Sequence, residues 1–431
     1  MGSRLDEPLF KNYRVGREVG KGGMATIHLA HEVGSGRAVA LKFLLPHIET
    51  NLGFVRQFME EFRANQFLKH ANIVEAIEAG EHEGRWYIAM EFLDGGSLKE
   101  LLRARGRLPL DIAVHVMINV LKGLAYSHHC GVVHQDMKPA NLMVQVDGSV
   151  KIADFGISKV ASPEQWTPTG RIRGTPAYMA PEQAGGKEPN YRWDIFASGV
   201  VFYELLAGFN PFGAKDPQVA LKKITGENPP PLLRISPIMP YDLEVVVARM
   251  LEKDPERRYQ NVDSILVDLQ RITSKLQLHY SQEIFRDWLR EPDGVARALA
   301  GQRSQFHVDL GRRLLGQGKP MADLALWQIY CGALADPSLT EPRGMLQQVS
   351  RDFGFSLQKS NAMEIKALEA RLTEQPDEIK DLLQAARLYR AEGNVLQTFY
   401  FGRSALSLAP LDAGIVASVE KVLGLGKVQY L

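Results

Sequence analysis

The amino-acid sequence predicts an α+β fold in two lobes, followed by an all-α domain of helical repeats. Short β-type runs broken by glycine pairs fill residues 13–91, and longer helical periods fill residues 97–272. Beyond residue 303, helical stretches alternate with short Gly or Pro breaks up to the end at 431. Residues 1–12 are expected to form a tail, and residues 273–302 a helical linker.

Length and composition describe a globular chain without strong charge. The 431 residues are 45% hydrophobic and 23% charged, which is enough to build a sizeable core. The 51 lysines and arginines nearly balance the 50 acidic residues, for a formal net charge of +1. A chain that binds nucleic acid or an acidic membrane through general electrostatics would be strongly basic. Composition therefore predicts no nucleic-acid partner.

Cysteine usage and apolar patterning predict a cytoplasmic protein without a membrane anchor. Cys130 and Cys331 lie far apart in sequence and do not make a disulfide framework. The most apolar stretch, Ile195 to Phe209, is shorter than a bilayer span and contains Glu204, so it is expected to be a buried helix. Asp6 stands where a myristoylation signal requires Ser or Thr.

The first lobe is expected to be a small sheet with one helix. Val39–Leu44 and Trp86–Glu91 are typical of strands, and the run from Phe54 to Leu68 has a helical period. The residues Gly20–Ala25 lie between two apolar runs, which predicts strand, glycine turn, strand. This pattern fits either a plain hairpin or a loop whose backbone N–H groups approach a phosphate.

Lys42 closes the run Val39-Ala40-Leu41-Lys42 and has apolar residues on most sides. A lysine in such a place needs an anionic partner, because an unpaired buried charge is costly. Both Glu60 and Glu61 lie on the predicted helix and are candidates for that partner.

The second lobe is expected to be mostly helical, with long helices over Asp111–His128 and Asp194–Leu206. The long loops 129–156 and 157–182 are rich in charged and small residues. Long loops inside a compact domain usually carry function, so the chemistry is expected there.

One of these loops collects the residue types of a cation site. Asp136, Lys138 and Asn141 lie close together in sequence, and Asp154 follows eighteen residues after Asp136. Two carboxylates and an amide suit a hard divalent cation, which commonly bridges protein oxygens to substrate phosphates. Mg²⁺ is the expected ion.

In their order along the chain, these motifs resemble the eukaryotic-like (Hanks-type) protein kinase family. The match runs from the glycine loop to about Leu269 and includes Asp154-Phe155-Gly156 and Ala180-Pro181-Glu182. The resemblance implies a bilobal protein kinase fold over residues 13–272 and ATP-dependent phosphate transfer to protein substrates. Lys138 and the segment Gly174–Tyr178 are similar to Ser/Thr rather than Tyr kinases, and the Gly-Gly-Met of the first loop resembles bacterial members.

By this resemblance, the first lobe carries most of the ATP site. Lys42 would contact the α and β phosphates and pair with Glu61, and the hinge at Glu91 to Leu93 would meet adenine. The ATP-binding residues that the resemblance implies are Gly20, Gly22, Gly23, Ala25, Ile27, Ala40, Lys42, Glu61, Met90, Glu91 and Leu93.

The resemblance assigns the transfer chemistry to the second lobe. Asp136 would orient the attacking hydroxyl and accept its proton, and Lys138 would neutralise the γ phosphate. Asn141 and Asp154 would hold Mg²⁺. Phosphate transfer mostly needs positioning and neutralisation of charge, which these residue types supply.

Further residues are assigned to the substrate and activation segment, namely Thr167, Thr169, Thr175 and Glu182. By the resemblance, Glu182 pairs with Arg258 and Asp194 braces the catalytic loop, so these three are structural. Thr167 and Thr169 fit either autophosphorylation sites or ordinary polar residues of an exposed loop.

Three positions depart from the family pattern. Ala25 replaces the third glycine of the first loop and keeps it small. Gln135 replaces the arginine before Asp136, which removes the cation that grips a phosphorylated activation loop. Asn65, one turn after Glu61, stands where an apolar residue is usual, so docking of its helix is expected to need help.

The C-terminal region has the spacing of a helical repeat. Pro342, Pro376 and Pro410 recur every 34 residues. The residues of one copy that resemble a tetratricopeptide repeat are Ala386, Tyr389, Gly393, Ala405 and Pro410. Earlier copies match only in part, so an irregular helical bundle stays open. Stacked helix pairs would offer a concave face to a peptide or protein partner.

Two other functional classes are weighed against an active protein kinase. A pseudokinase or scaffold would bind nucleotide and organise partners through the repeats, but Lys42, Asp136 and Asp154 are all present. A small-molecule kinase is disfavoured by the segment Gly174 to Glu182, which in the family shapes a groove for protein substrates.

Overall fold

A computed structural model describes residues 8–155, 176–358, 360 and 362–425. The chain divides into two compact units. The first unit comprises residues up to 108 together with 113–227 and 253–266. The second unit comprises residues 109–112, 228–252 and 267 onward.

The first unit begins with a six-stranded antiparallel sheet in the order β1-β2-β3-β4-β6-β5. Its strands are β1 (Leu9–Phe10), β2 (Tyr13–Lys21), β3 (Ala25–Glu32), β4 (Ala38–Leu44), β5 (Ala76–His82) and β6 (Arg85–Glu91). The strands expected at 39–44 and 86–91 are confirmed. The glycine turn connects β2 to β3, as the sequence predicts.

The alternation along β4 gives this sheet two different faces. Val39, Leu41 and Phe43 are buried in a core formed with Phe10 and Tyr13. The alternate residues of β4, which include Ala40 and Lys42, lie on the opposite face, as expected for a strand with a period of two.

Two helices follow β4, namely α1 (Pro46–Glu49) and α2 (Leu52–Asn65). The Asn51 side chain accepts a hydrogen bond from the Gly53 N–H and caps α2. Val55 and Phe58 are the buried residues of α2, and they pack with Leu44 and Ile88 of the sheet. The apolar face of α2 therefore fixes the helix beside β4 and β6.

The rest of the first unit is largely helical, as predicted. A small sheet, β7-β8-β9, is formed by Gly96–Ser97, Leu142–Val144 and Val150–Ile152. The helices are α3 (Leu98–Arg105), α4 (Leu110–His129), α5 (Pro181–Ala184), α6 (Tyr191–Ala207) and α7 (Pro217–Gly226), and residues 110–112 of α4 belong to the second unit. Ser97 and Glu100 form a capping box at the start of α3.

Within the described residues, α4 is the one helix long and apolar enough to cross a membrane by length and composition. Most of its apolar stretch is buried inside the protein. Burial of this kind is typical of the core helix of a globular protein. The apolar stretch expected to be a buried helix at 195–209 is buried in α6 as far as Ala207, whereas Gly208 and Phe209 lie beyond the helix and are exposed.

The second unit is all-α and contains the short helix α8 (Tyr241–Met250). The later helices are α9 (Val262–Leu276), α10 (Gln282–Arg290), α11 (Pro292–Leu315), α12 (Ala322–Ala335), α13 (Glu341–Phe353), α14 (Met363–Glu374), α15 (Ile379–Ala391), α16 (Val395–Leu408) and α17 (Ala413–Leu423). Of α9, residues 262–266 belong to the first unit. From α11 onward most consecutive helices pack on each other, and α12 also packs on α16.

The best repeat copy corresponds to the pair α15 and α16. Ala386 and Tyr389 of α15 and Ala405 of α16 are buried, as expected of residues that let two helices approach. Gly393 has a φ of +70° in the turn between them, a conformation that favours glycine. The number of true repeats stays a prediction.

Residues 228–252 form part of the core of the second unit. The Tyr241 hydroxyl of α8 donates to the Pro410 carbonyl over 2.9 Å, and Tyr241 is buried with residues of α12, α15 and α16. Arg403 of α16 donates to the carbonyls of Pro237 and Met239. This segment and the C-terminal helices therefore share one hydrophobic core.

Candidate active site

Strand register aligns the glycine turn with Lys42. Gly20 lies opposite Ile27, and Ile27 lies opposite Lys42, so the three residues line up across β2, β3 and β4. A Cβ placed at Gly20 or Gly22 would come no closer than 3.6 Å to another protein atom, and one at Gly23 would meet nothing within 4 Å. Packing of the protein does not demand these glycines, so the room they leave fits a ligand whose phosphates approach the backbone.

Lys42 is the centre of a three-residue charge cluster. Its Nζ lies 2.6 Å from Glu61 Oε1 and 2.9 Å from Asp154 Oδ1. Glu61, rather than Glu60, is therefore the carboxylate that reaches Lys42. The contact joins α2 to the loop that follows β9.

Lys42, Glu61 and Asp154 shift one another's pKa values. Burial acts to lower the pKa of Lys42, but Asp154 and Glu61 outweigh it and hold the pKa above its usual range. The ammonium of Lys42 lowers the pKa of Asp154. Burial raises the pKa of Glu61 to about 7, against the pull of Lys42. Lys42 is therefore a cation and Asp154 an anion at neutral pH.

A second cluster lies in the loop before β8. Lys138 Nζ is 2.6 Å from Asp136 Oδ2. The Asn141 amide nitrogen donates to the Asp136 carbonyl over 2.8 Å and to its carboxylate over 3.2 Å. Asp136 is therefore held by two side chains while about a third of its own side chain remains exposed, at 30%.

The Asp194 side chain holds the backbone of this loop through hydrogen bonds. Its side chain is fully buried and accepts hydrogen bonds from the N–H groups of His134 (2.8 Å) and Gln135 (2.7 Å). His128 Nε2 lies 2.8 Å from the same carboxylate. Gln135 has a φ of +67°, which is unusual for a residue other than glycine and is maintained here by these bonds.

Asn141 and Asp154 have the chemistry of Mg²⁺ ligands. A carboxylate and an amide oxygen are hard donors, and the Asn141 nitrogen is already engaged with Asp136, which keeps its oxygen available. The Ala153 N–H donates to the Asn141 carbonyl over 2.8 Å, so the two loops are tied together beside these side chains. No cluster of three or more His, Cys, Asp or Glu residues suited to a metal occurs in the described part of the chain.

Comparison with known proteins identifies the family. The model of the protein kinase domain matches residues 13–268, which is more than half of the chain. This chain belongs to the protein kinase family.

Two similar curated proteins come from bacteria. A probable serine/threonine-protein kinase PknB of Lactococcus lactis is 36% identical over 264 residues, covering 61% of this chain and 42% of that protein. The tyrosine-protein kinase MasK of Myxococcus xanthus is 36% identical over 309 residues, covering 65% of this chain and 48% of that protein. The chain thus spans less than half the length of either relative.

A solved structure shares the kinase fold. The crystal structure of the Mycobacterium tuberculosis PknI kinase domain is 26% identical, with a TM-score of 0.50. The alignment covers 62% of this chain and 98% of that one. The α+β kinase fold that the sequence predicts is therefore confirmed.

The segment that the sequence predicts to be the hinge follows β6. Met90 lies opposite Ala40 of β4, and Glu91 ends the strand two residues before Leu93. The sequence did not indicate that Glu91 is paired with Lys151 of β9, whose Nζ lies 2.7 Å and 3.0 Å from the two carboxylate oxygens. Glu91 also accepts a hydrogen bond from the Glu75 N–H over 3.0 Å. The Glu91 side chain therefore fixes the start of the predicted hinge.

Gly95, just after the hinge, is required by packing. A Cβ there would lie 1.7 Å from the Val144 carbonyl oxygen of β8. No larger residue fits without a shift of the backbone. The Asp94-Gly95-Gly96 run was a signal for a turn here, but not for this close approach.

Replacing Lys151 by Met is expected to raise the KM for ATP several-fold with a smaller change in kcat. The substitution leaves the Glu91 carboxylate without its cation, and a hydrogen bond to a charged group contributes about 1.5–3 kcal/mol. Steady-state kinetics with varied ATP measure the effect. Lys122→Met, on the exposed face of α4, is the matched control and should leave KM unchanged.

Glu182 and Arg258 form a buried ion pair, with N–O distances of 2.8 Å and 3.1 Å. The next residue, Gln183, was not singled out from the sequence. Its amide nitrogen donates to the Gln135 carbonyl over 3.1 Å and so links α5 to the catalytic loop. Thr167, Thr169 and Thr175 lie outside the described residues.

Proposed function

We propose that this protein is a Ser/Thr protein kinase that transfers the γ-phosphate of ATP to hydroxyl groups of proteins. The observation that carries the proposal is the pairing of two intact clusters, Lys42–Glu61–Asp154 and Asp136–Lys138–Asn141. The first has the charges that hold nucleotide phosphates. The second has a carboxylate and an ammonium where a hydroxyl would attack.

Each residue has a role that its contacts support. Lys42, kept charged by two carboxylates, holds the α and β phosphates. Asp136 accepts the proton of the attacking hydroxyl as the bond to phosphorus forms and the bond to the β-phosphate oxygen breaks. Lys138, 2.6 Å from Asp136, balances the charge on the transferred group.

Asn141 and Asp154 are the residues that would hold Mg²⁺. When bound, the ion supplies neutralisation of phosphate charge. Asp154 has a φ of +54° and its carboxylate is bonded to Lys42, so its orientation is fixed by the protein. Asn141 is oriented in the same way by its two bonds to Asp136.

The test is incubation of the purified protein with γ-labelled ATP and Mg²⁺, alone and with a generic protein substrate, followed by phosphosite mapping. Label on Ser or Thr supports the proposal. Label on Tyr alone would instead assign this chain the specificity in the name of MasK. ATP binding without label, with candidate partners added, would identify a pseudokinase or scaffold.

Activity is expected to be independent of loop phosphorylation at Thr169. Gln135 supplies no cation to hold a phosphothreonine, and none of the described residues bonds its side-chain oxygen. Thr169→Ala should therefore keep activity within about twofold of the wild type. Initial rates on a generic substrate measure this. A tenfold loss in a folded variant would contradict the argument.

The C-terminal helices are proposed to bind a protein or peptide partner in the cytoplasm. Phe399 and Phe401 are buried, whereas Tyr400 between them is 48% exposed. An exposed aromatic residue on a helix pair is suited to partner contact. A pull-down from a cytoplasmic lysate, with the wild-type protein and Tyr400→Ala compared, tests this role: a partner retained by the wild type and lost by the variant supports it.

A further inference from the structure

Asn65 is a partly buried polar residue near the end of α2, the helix that carries Glu61. It follows Glu61 by four residues on α2, so both side chains lie on the same face of the helix. Its amide nitrogen donates to the Val74 carbonyl over 3.0 Å. Its amide oxygen is buried and has no partner among the described residues.

Val74 in turn is bonded to the strand that leads to Asp154. The Val74 N–H donates to the Ile152 carbonyl of β9 over 2.9 Å, and Ile73 bridges to Ile152 in parallel. Asp154 lies two residues beyond Ile152. A short path of hydrogen bonds therefore runs from Asn65 through Val74 to the loop that carries Asp154.

The segment before Val74 is held to β9 and α4 by several hydrogen bonds. The Asn72 carbonyl accepts from the Ile152 N–H over 2.9 Å, and the buried Asn72 amide donates to the Val150 carbonyl over the same distance. The Asn72 amide also contacts Asn119 of α4 at 3.2 Å. Asn65 thus joins α2, which has few buried residues of its own, to residues 72–74, which are hydrogen-bonded to β9.

We propose that Asn65 is a positioning residue that aligns Glu61 with Asp154 through its hydrogen bond to Val74. Lys42 bonds the same two carboxylates through an ammonium group on a long, flexible side chain, which tolerates movement of α2. The Asn65 bond is directional and fixes the rotation and height of the helix. An apolar residue at this position would pack without supplying that direction. The inference rests on the kinase activity proposed above.

The test is a cycle of variants in the full-length protein, with Asn65→Leu, Glu61→Gln and the double variant. Leu has the branched shape and the same number of side-chain heavy atoms as Asn, but it is somewhat larger and has no donor for Val74. Because each 1.4 kcal/mol is tenfold and a hydrogen bond contributes about 1 kcal/mol, kcat/KM for ATP should fall about fivefold in Asn65→Leu. In the Glu61→Gln background the same change should have almost no effect, because residue 61 then has no carboxylate for Asn65 to align with Lys42.

Binding of a fluorescent ATP analogue with Mg²⁺ provides the same cycle without turnover. If the wild type binds but transfers no phosphate, the proposed function fails while the binding cycle still decides the role of Asn65. Equal losses in both backgrounds, or an Asn65→Leu protein as active and as tight-binding as the wild type, would overturn the inference.

Two further variants show whether a loss of activity in Asn65→Leu comes from the lost hydrogen bond or from misfolding. Gln66→Leu is the matched control, because the Gln66 amide bonds back to its own helix at the Arg63 carbonyl, and it should leave kinetics unchanged. Asn65→Ala removes the donor without adding bulk. It should behave as Asn65→Leu does, and thermal unfolding of each variant verifies that the protein is folded.

Discussion

Replacing Asp136 by Asn is expected to abolish phosphate transfer while leaving ATP binding largely intact. The amide cannot accept the proton of the attacking hydroxyl, and general base catalysis contributes about 10²–10⁴ in rate. Asn has the shape of Asp, so Lys138 and Asn141 can still donate to the side chain of residue 136. These bonds keep their geometry but lose the negative charge of the carboxylate. Single-turnover transfer from labelled ATP and binding of a fluorescent ATP analogue measure the two effects separately.

The control for this substitution is Asp147→Asn. Asp147 lies in the turn between β8 and β9, where its carboxylate accepts from the Ser149 N–H over 2.8 Å, a bond that Asn also makes. This variant should keep full activity. If Asp136→Asn retained more than about a tenth of the wild-type rate, Asp136 would not be the proton acceptor, and the transfer would proceed by positioning alone.

The chemistry-bearing residues of this site were predictable because they lie in short motifs. Asp136, Lys138 and Asn141 are close in sequence, and their types alone indicate a cation and phosphate site. Lys42 needed an anion, but spacing left Glu60 and Glu61 open. Helical geometry decides between them, since neighbouring residues of a helix point about 100° apart and only one can reach a given strand.

The contacts that hold the site could not be predicted in the same way. Lys151 and Glu91 are sixty residues apart and are common residue types, so nothing in either local sequence indicates their pairing. Gln183 and Gln135 meet only because α5 and the catalytic loop are brought together by the fold. Pairings of this kind depend on tertiary structure, which local patterns do not contain.

Backbone conformation was likewise hidden. Gln135 and Asp154 both have positive φ, but only Asp is among the residues that tolerate this region well. The conformation of Gln135 is imposed by Asp194, fifty-nine residues later, through two N–H groups. Strain of this kind persists only where surrounding contacts determine it, and it is concentrated at functional sites.

The second unit also contains an arrangement without a sequence signature. The family match extends to residue 268, yet residues 228–252 share a core with helices of the C-terminal region. Arg403 is the clearest link within this unit. It is buried, lies 5.3 Å above the Trp327 ring, and donates to the Pro237 carbonyl over 2.7 Å and to the Met239 carbonyl.

Replacing Arg403 by Met is expected to destabilise the protein by about 3 kcal/mol. Met fills much of the space but leaves the Pro237 and Met239 carbonyls without their donor and the buried Glu244 without its cation. Removal of one partner of a buried charged pair costs about 3–5 kcal/mol. Urea unfolding of the full chain measures the loss. Arg387→Met, the same change at an exposed position of α15, should cost less than about 0.5 kcal/mol.

The loss should depend on pH, which separates the charge of Arg403 from its packing. Burial raises the pKa of Glu244 to about 7, although Arg403 acts to lower it. A carboxyl whose pKa is raised by folding favours the folded state below its unfolded pKa, and this contribution disappears as pH rises through the folded value. Without Arg403 the pKa of Glu244 rises further, so the variant should lose more stability than the wild type as the pH increases from 6 to 9.

At pH 5, where Glu244 is protonated in both folded proteins, only the lost carbonyl bonds should separate Arg403→Met from the wild type. Glu244→Gln removes the titrating group while keeping its shape, so the gap between Glu244→Gln and the double variant should be the same at pH 5 and pH 9. A gap between wild type and Arg403→Met that does not change with pH would mean that the carbonyls of Pro237 and Met239, rather than Glu244, are what Arg403 stabilises.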